Sequence, residues 1–218
     1  MRKNRLIATA LLSAAALTLS ACSSGGDSKD KPTAEVSADQ ETKAATVLDT
    51  PFKKPDMVLT DTDGKEFDLI ERTEGKPTLL YFGYTNCPDV CPLTMSNLAL
   101  ALKDVPADVR KKLQVIMVSS DPERDTPKEL GKWLKGQDPS FIGLTGDFPT
   151  IQAGARTLGI SIDEPVKEKD GSITSTHGKQ VMAFSPKTDE GYVFYNGETT
   201  SAEDYAKDLP KLAEGAKP

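Results

Sequence analysis

Apolar residues fall in short blocks along this chain, and the spacing within each block names its element. Leu79-Leu80-Tyr81-Phe82 and Leu113 to Ser119 (L-Q-V-I-M-V-S) are continuous apolar runs too short for helices, so they read as strands buried on both faces. Met95, Leu98, Ala99 and Leu102 recur at three- and four-residue steps and predict a helix to about Lys103. A second helix follows Thr126-Pro127, where Thr126 can cap, Pro127 suits the first turn and Glu129 can complete a capping box; it carries Leu130, Trp133 and Leu134 to Gly136. Phe141 to Leu144 reads as a short strand and Phe148 to Leu158 as a helix ending at Gly159. Two hairpins are predicted. One joins Asp56–Thr60 to Lys65–Leu69 across Asp61-Thr62-Asp63-Gly64, and the other joins Val181–Phe184 to Tyr192–Tyr195 around Asp189-Glu190-Gly191. Between Ile160 and Lys179 the chain is polar, an excursion or loose hairpin turning at Asp170-Gly171. Ser201, with Asp204 three residues on, opens a last helix.

The first 49 residues follow a different pattern. Met1-Arg2-Lys3-Asn4-Arg5 is basic, and Leu6 to Leu19 is a small-residue apolar run shorter than the roughly 20 residues of a spanning helix. Residues 1–21 therefore read as an export signal. The run ends in Leu19-Ser20-Ala21-Cys22, which resembles the bacterial lipobox; that resemblance makes Cys22 the lipidated new N-terminus and places the protein on the extracytoplasmic face of the cell membrane. Plain secretion, with Cys22 free or lost, is the alternative. Residues 22–49 are mostly Ser, Gly, Ala, Lys, Asp and Glu and cannot bury enough surface to fold, so they read as a flexible tether. A single domain is then expected over 50–218.

Charge narrows the partners. The chain of 218 residues has a formal net charge of −6, and losing the first 21 residues removes Arg2, Lys3 and Arg5 but no acid, taking −6 to −9. Such a chain is a poor candidate for nucleic acid or for charge-driven binding to an anionic membrane; a lipid chain would anchor it by acyl burial.

The candidate chemistry lies in Tyr81 to Pro92, Y-F-G-Y-T-N-C-P-D-V-C-P. Strand, two-thiol loop and helix put Cys87 and Cys91 at a helix N-terminus, whose partial positive charge favours thiolates. Helical residues four apart have Cβ atoms roughly 5–6 Å apart, whereas a disulfide wants about 3.5–4.5 Å. The C-x-x-x-C spacing thus leans towards two thiolates on one soft metal, while a Cys87–Cys91 disulfide remains open with local unwinding. Two buried structural cysteines are the plainest alternative. His177, the single histidine, lies in the polar loop just before Val181. By itself it reads as a solvated surface residue.

The order β-hairpin, β-α-β-α-(β)-α-β-β-α is α/β and similar to a thioredoxin-like fold with an N-terminal β-hairpin and an inserted His-bearing loop. In that plan the segment before the Val181 strand faces the redox thiols, which changes the weighing of His177. Thioredoxin-like reductases have C-x-x-C and a proline before that strand; here the spacing is C-x-x-x-C, and Gly178-Lys179-Gln180 stands in place of the proline.

C-P-D-V-C-P, D-P-E-R-D-T-P from Asp121 and the distant His177 together resemble the Sco/SenC family of copper proteins over roughly Pro51 to the C-terminus. The resemblance implies a Cu(I)/Cu(II) site of Cys87, Cys91 and His177. It places Asp121 near that site, as an orienting group or weak ligand, where the plainer reading is a loop aspartate that starts a turn. It also implies a non-enzymatic metallochaperone that delivers copper to the dinuclear centre of cytochrome c oxidase subunit II, with thiol–disulfide chemistry at Cys87 and Cys91. A thioredoxin-type thiol–disulfide oxidoreductase or peroxidase uses the same cysteines and is the alternative function; a copper or redox sensor is a third. No recognisable stretch encodes an oxidase-docking surface, and the sequence names neither the copper donor nor the thiol reductant.

Overall fold

The computed structural model describes residues 44–218. The proposed signal, Cys22 and most of the tether lie outside the described residues. An eight-stranded mixed sheet runs in the order β1-β10-β9-β4-β5-β6-β2-β3. Its strands are β1 (Ala45–Lys53), β2 (Val58–Asp61), β3 (Glu66–Asp68), β4 (Thr78–Gly83), β5 (Gln114–Ser119), β6 (Ile142–Thr145), β9 (Gln180–Phe184) and β10 (Glu190–Asn196). β4, β5 and β6 are parallel, while β9 returns antiparallel to β4 and β10 antiparallel to β9. The central run β10-β9-β4-β5 is the expected thioredoxin-like arrangement, and both predicted hairpins form.

Side-chain alternation along the central strands divides the core between two faces. Leu79, Tyr81, Val115, Met117, Val181 and Ala183 pack on one face with α2 (Val90–Asp104), α4 (Pro127–Gln137) and α6 (Ala202–Ala213). Leu80, Phe82, Ile116, Val118, Met182 and Phe184 pack on the other with Met57, Phe67 and α5 (Phe148–Thr157). Every residue of β4 is buried, as its unbroken apolar run requires. Strand β4 thereby delivers the thiol loop and the start of α2 at the end of the most buried part of the sheet.

The ordered sheet begins before the expected opening near Thr50. β1 starts at Ala45 and pairs with β10, with a register shift between Val47 and Phe52. Its pairing supplies the order its composition did not suggest, and Pro51 falls in the irregular stretch of this edge strand between the paired Val47 and Phe52, where a proline is tolerated. Two short helices, α1 (Leu69–Thr73) and α3 (Ala107–Lys112), add to the predicted set. The polar excursion is a small separate hairpin of β7 (Val166–Lys167) and β8 (Ile173–Thr174), turning through Gly171 at φ +86°.

Candidate metal centre

Three segments meet at the carboxyl end of β4. The first is the thiol loop. Asp89 caps α2, accepting from the Val90 amide at 2.6 Å, so Cys91 falls in the first turn and Cys87 just outside it. The Cys91 amide donates to the Cys87 sulfur at 3.4 Å, so the first thiol sits against an unpaired helix N-terminal N–H. Cys91 is fully buried behind it, and the Tyr81 hydroxyl donates to its sulfur at 3.2 Å. Here the expectation of thiolate stabilisation at both sulfurs is overturned for one of them. Burial pushes the Cys91 thiol up to about 12, outweighing the bond from Tyr81 that pulls it down.

Close approach makes this geometry possible. A Cβ on Gly83 would lie 2.5 Å from Tyr81 Cε1 and 2.9 Å from Cys91 Sγ, so the end of β4 must lack a side chain for the thiol to rest there.

The second segment brings His177. Its Nε2 is 3.6 Å from Cys87 Sγ, and its Nδ1 lies 2.7 Å from the Gly178 carbonyl oxygen. A carbonyl only accepts, so Nδ1 carries the proton and Nε2 presents its lone pair towards the sulfurs. The Gly178 amide is itself held by the Phe82 carbonyl at 3.2 Å, tying this loop to β4. The ring packs against Tyr84, centroids 5.7 Å apart.

Cys87, Cys91 and His177 place their ligand atoms within 4.8 Å of one another, with both cysteines free thiols. One ion can bridge three such atoms with modest adjustment. Two sulfurs and one imidazole nitrogen form a soft donor set, and the tautomer of His177 suits ligation.

The third segment, between β5 and α4, holds Asp121 and Asp125. Both are buried. Asp121 stands outside the three-residue ligand group; its Oδ2 accepts instead from Arg124 Nε at 2.5 Å and from the Ser175 hydroxyl at 2.9 Å. Asp125 takes the Thr85 amide at 2.9 Å, the Thr85 hydroxyl at 2.5 Å and the Ser119 hydroxyl at 2.7 Å, and burial raises its carboxyl above the usual range.

Tyr81, Tyr84, Arg124 and Ser175 are site residues that the sequence pattern did not single out. Tyr81 looks like any residue of an apolar strand, and only its hydroxyl distinguishes it. Ser175, two positions before the histidine, is one of several hydroxyls in Ser172 to Thr176.

The SCO1/SenC family profile matches residues 44–214. Protein SCO2, mitochondrial, of Saccharomyces cerevisiae is 35% identical over 107 residues, 49% of this chain and 35% of that protein. The matched stretches span 35% to 64% of the length of the first curated relatives. Apo Sco1 from Thermus thermophilus superposes with a TM-score of 0.67 at 29% identity, covering 80% of this chain and 99% of that one. Bradyrhizobium japonicum ScoI, solved with copper bound, superposes with a TM-score of 0.61 at 32% identity, covering 75% and 98%. With a match that runs through all three segments of the site, the chain belongs to the SCO1/SenC family.

Proposed function

We propose that this chain is a copper-binding chaperone, held on the extracytoplasmic face of the membrane through Cys22, that delivers copper to cytochrome c oxidase subunit II without turning over a substrate. The observation that carries the reading is the meeting of Cys87, Cys91 and His177 within 4.8 Å. Thiolates select Cu(I), and an added imidazole nitrogen accommodates Cu(II). Structural zinc ordinarily takes four protein ligands, and this group offers three. The copper-bound ScoI supports the same choice of metal. The recipient and the anchor follow from the family resemblance and the lipobox. Among the described residues no helix is long and apolar enough to cross a membrane.

The ligands differ in how deeply they are buried. Cys91 is buried in the first turn of α2 and Cys87 is buried in the loop just before it, whereas His177 is half-buried on a polar loop. Withdrawal of His177 would open the site to a recipient while the thiols stay in place.

One observation favours a second reading: Cys87 and Cys91 are both free and adjacent. In a thiol–disulfide oxidoreductase, Cys87 would attack a substrate disulfide and Cys91 would displace the mixed disulfide. Two substrate thiols would be released and a Cys87–Cys91 disulfide left behind. An anaerobic copper titration of the reduced protein separates the readings. The chaperone predicts saturation at one copper per chain, and His177→Ala should lose the thiolate-to-Cu(II) absorption and weaken Cu(II) binding far more than Cu(I) binding. Absence of copper binding, with turnover of a protein disulfide indifferent to His177→Ala, would establish the oxidoreductase instead.

A further inference from the structure

The two aspartates of the Asp121–Asp125 segment each grip a different ligand-bearing loop. Asp125 holds Thr85, two residues before Cys87, by both its amide and its hydroxyl. Asp121 holds Ser175, two residues before His177. Arg124 closes the second grip. Its Nε and Nη2 both meet Asp121 Oδ2, and Nη2 also donates to the Ser175 hydroxyl at 3.1 Å. The Arg124 guanidinium lies over the Tyr84 ring, 6.0 Å from its centroid, and that ring also packs against His177.

Ser175 is the attachment point ahead of His177, as the Gly178 amide on Phe82 is the one behind it. Between Ile162, whose carbonyl accepts from Gln152, and Gly178, whose amide donates to Phe82, the segment's hydrogen bonds are largely internal. Asp163 pairs with Thr176, Glu168 with Ser172, and β7 with β8. Among the described residues, the hydrogen bonds from this segment to the rest of the domain converge on Ser175, apart from the His177–Cys87 contact itself. Ser175 is buried, and the Asp121 carboxylate beneath it is 1% exposed. A buried, charge-assisted bond is worth more than its exposed counterpart.

We propose that Arg124, Asp121 and Ser175 form a latch that sets His177 within reach of the two thiols, so that Ser175 and Arg124 are positioning residues for the third ligand. The proposal rests on the copper reading only for its consequence; the latch belongs to the metal-free protein. Closed, it presents Nε2 ready-placed. Open, it leaves a two-thiolate site on an unchanged β4 and α2.

Ser175→Ala is the informative variant, because it keeps the Asp121–Arg124 ion pair and therefore the buried charge balance. In the metal-free protein, hydrogen exchange at the Gly178 and Asp163 amides should quicken by about tenfold, matching the loss of one such bond, while the β4 and β5 amides stay unchanged. In the reduced protein, Cu(II) should bind about tenfold more weakly with Cu(I) binding unaltered, and Ser175→Thr, which restores the hydroxyl, should return both readouts towards wild type. Unchanged exchange at Gly178 and Asp163 would overturn the latch. So would equal loss of Cu(I) and Cu(II) binding, which would make Ser175 a residue of the fold rather than of the histidine. If the wild-type protein takes up no copper, the chaperone reading fails, and the exchange measurement still decides the latch.

Discussion

Gly83→Ala adds one methyl group where the sheet meets the site, and its cost can be read from the surroundings. The new Cβ would stand 2.5 Å from Tyr81 Cε1, 2.9 Å from Cys91 Sγ and 3.3 Å from Met117 Cε. The Met117 methyl can swing away. The Tyr81 ring cannot, since it is fully buried in β4 and its hydroxyl is bonded to Cys91. Restoring ordinary contact distances therefore moves the Cys91 sulfur by several tenths of an ångström, more than the roughly 0.2 Å that a metal–ligand bond tolerates. Overpacking of this kind costs about 1–3 kcal/mol, against at most about 1 kcal/mol regained by stiffening the unfolded chain. The expected outcome is a denaturation midpoint lowered by the difference, together with copper binding lost well beyond what the unfolded fraction explains. Gly136→Ala is the control: nothing lies within 4 Å of its added Cβ in α4, so it should stabilise by about 1 kcal/mol or less and bind copper normally. A Gly83→Ala protein with an unaltered titration would refute the claim that close approach at this glycine places the sulfur.

Three further outcomes follow from burial. Cys91, pushed up to about 12, keeps its proton at neutral pH. Ligation must expel that proton, so copper uptake at pH 7 should release one proton from this thiol and the apparent affinity should gain up to about tenfold per pH unit on its account. Competition titrations at several pH values test this, and a pH-independent affinity would contradict it. In the metal-free protein the sign is opposite. The unfolded thiol titrates near about 8.5, so the stabilising contribution of Cys91 is complete below that pH and is lost as pH rises towards 12. Far from the site, Lys54 is buried with its ammonium on Asp189 at 2.8 Å and on the Thr73 carbonyl at 3.0 Å. Lys54→Met strands a partly exposed carboxylate and a carbonyl, and should cost about 1–3 kcal/mol in chemical denaturation while leaving copper stoichiometry unchanged; an equal midpoint would show that the pair contributes nothing.

The parts of this fold legible in the sequence are those where one physical cause dominates. β4 and β5 are readable because a strand buried on both faces has no polar position to confuse the pattern, and α4 and α6 because Thr126 and Ser201 announce their starts. β1 was not readable, since its order comes from its partner β10 and not from its own composition. The same division runs through the site. Cys87 and Cys91 declare themselves by spacing, but His177 needed the fold to acquire a neighbour, and Ser175 could be told from the adjacent hydroxyls only by the buried carboxylate beneath it.

This division also reflects how the donors are held. The sulfurs are held mainly by local chemistry, through a helix start, a bare glycine and a tyrosine ten residues away, with Asp125 adding a longer-range hold on Thr85 ahead of Cys87. The imidazole is fixed by long-range chemistry, through an aspartate on another loop. Local constraints of the first kind persist as long as β4 and α2 remain folded, and opening them costs much of the domain's stability. A constraint that rests on a few hydrogen bonds to a polar loop can open and close for little free energy. A protein that must bind a soft ion firmly and still surrender it to a recipient needs donors of both kinds. Here the boundary between them falls between the two thiols and His177.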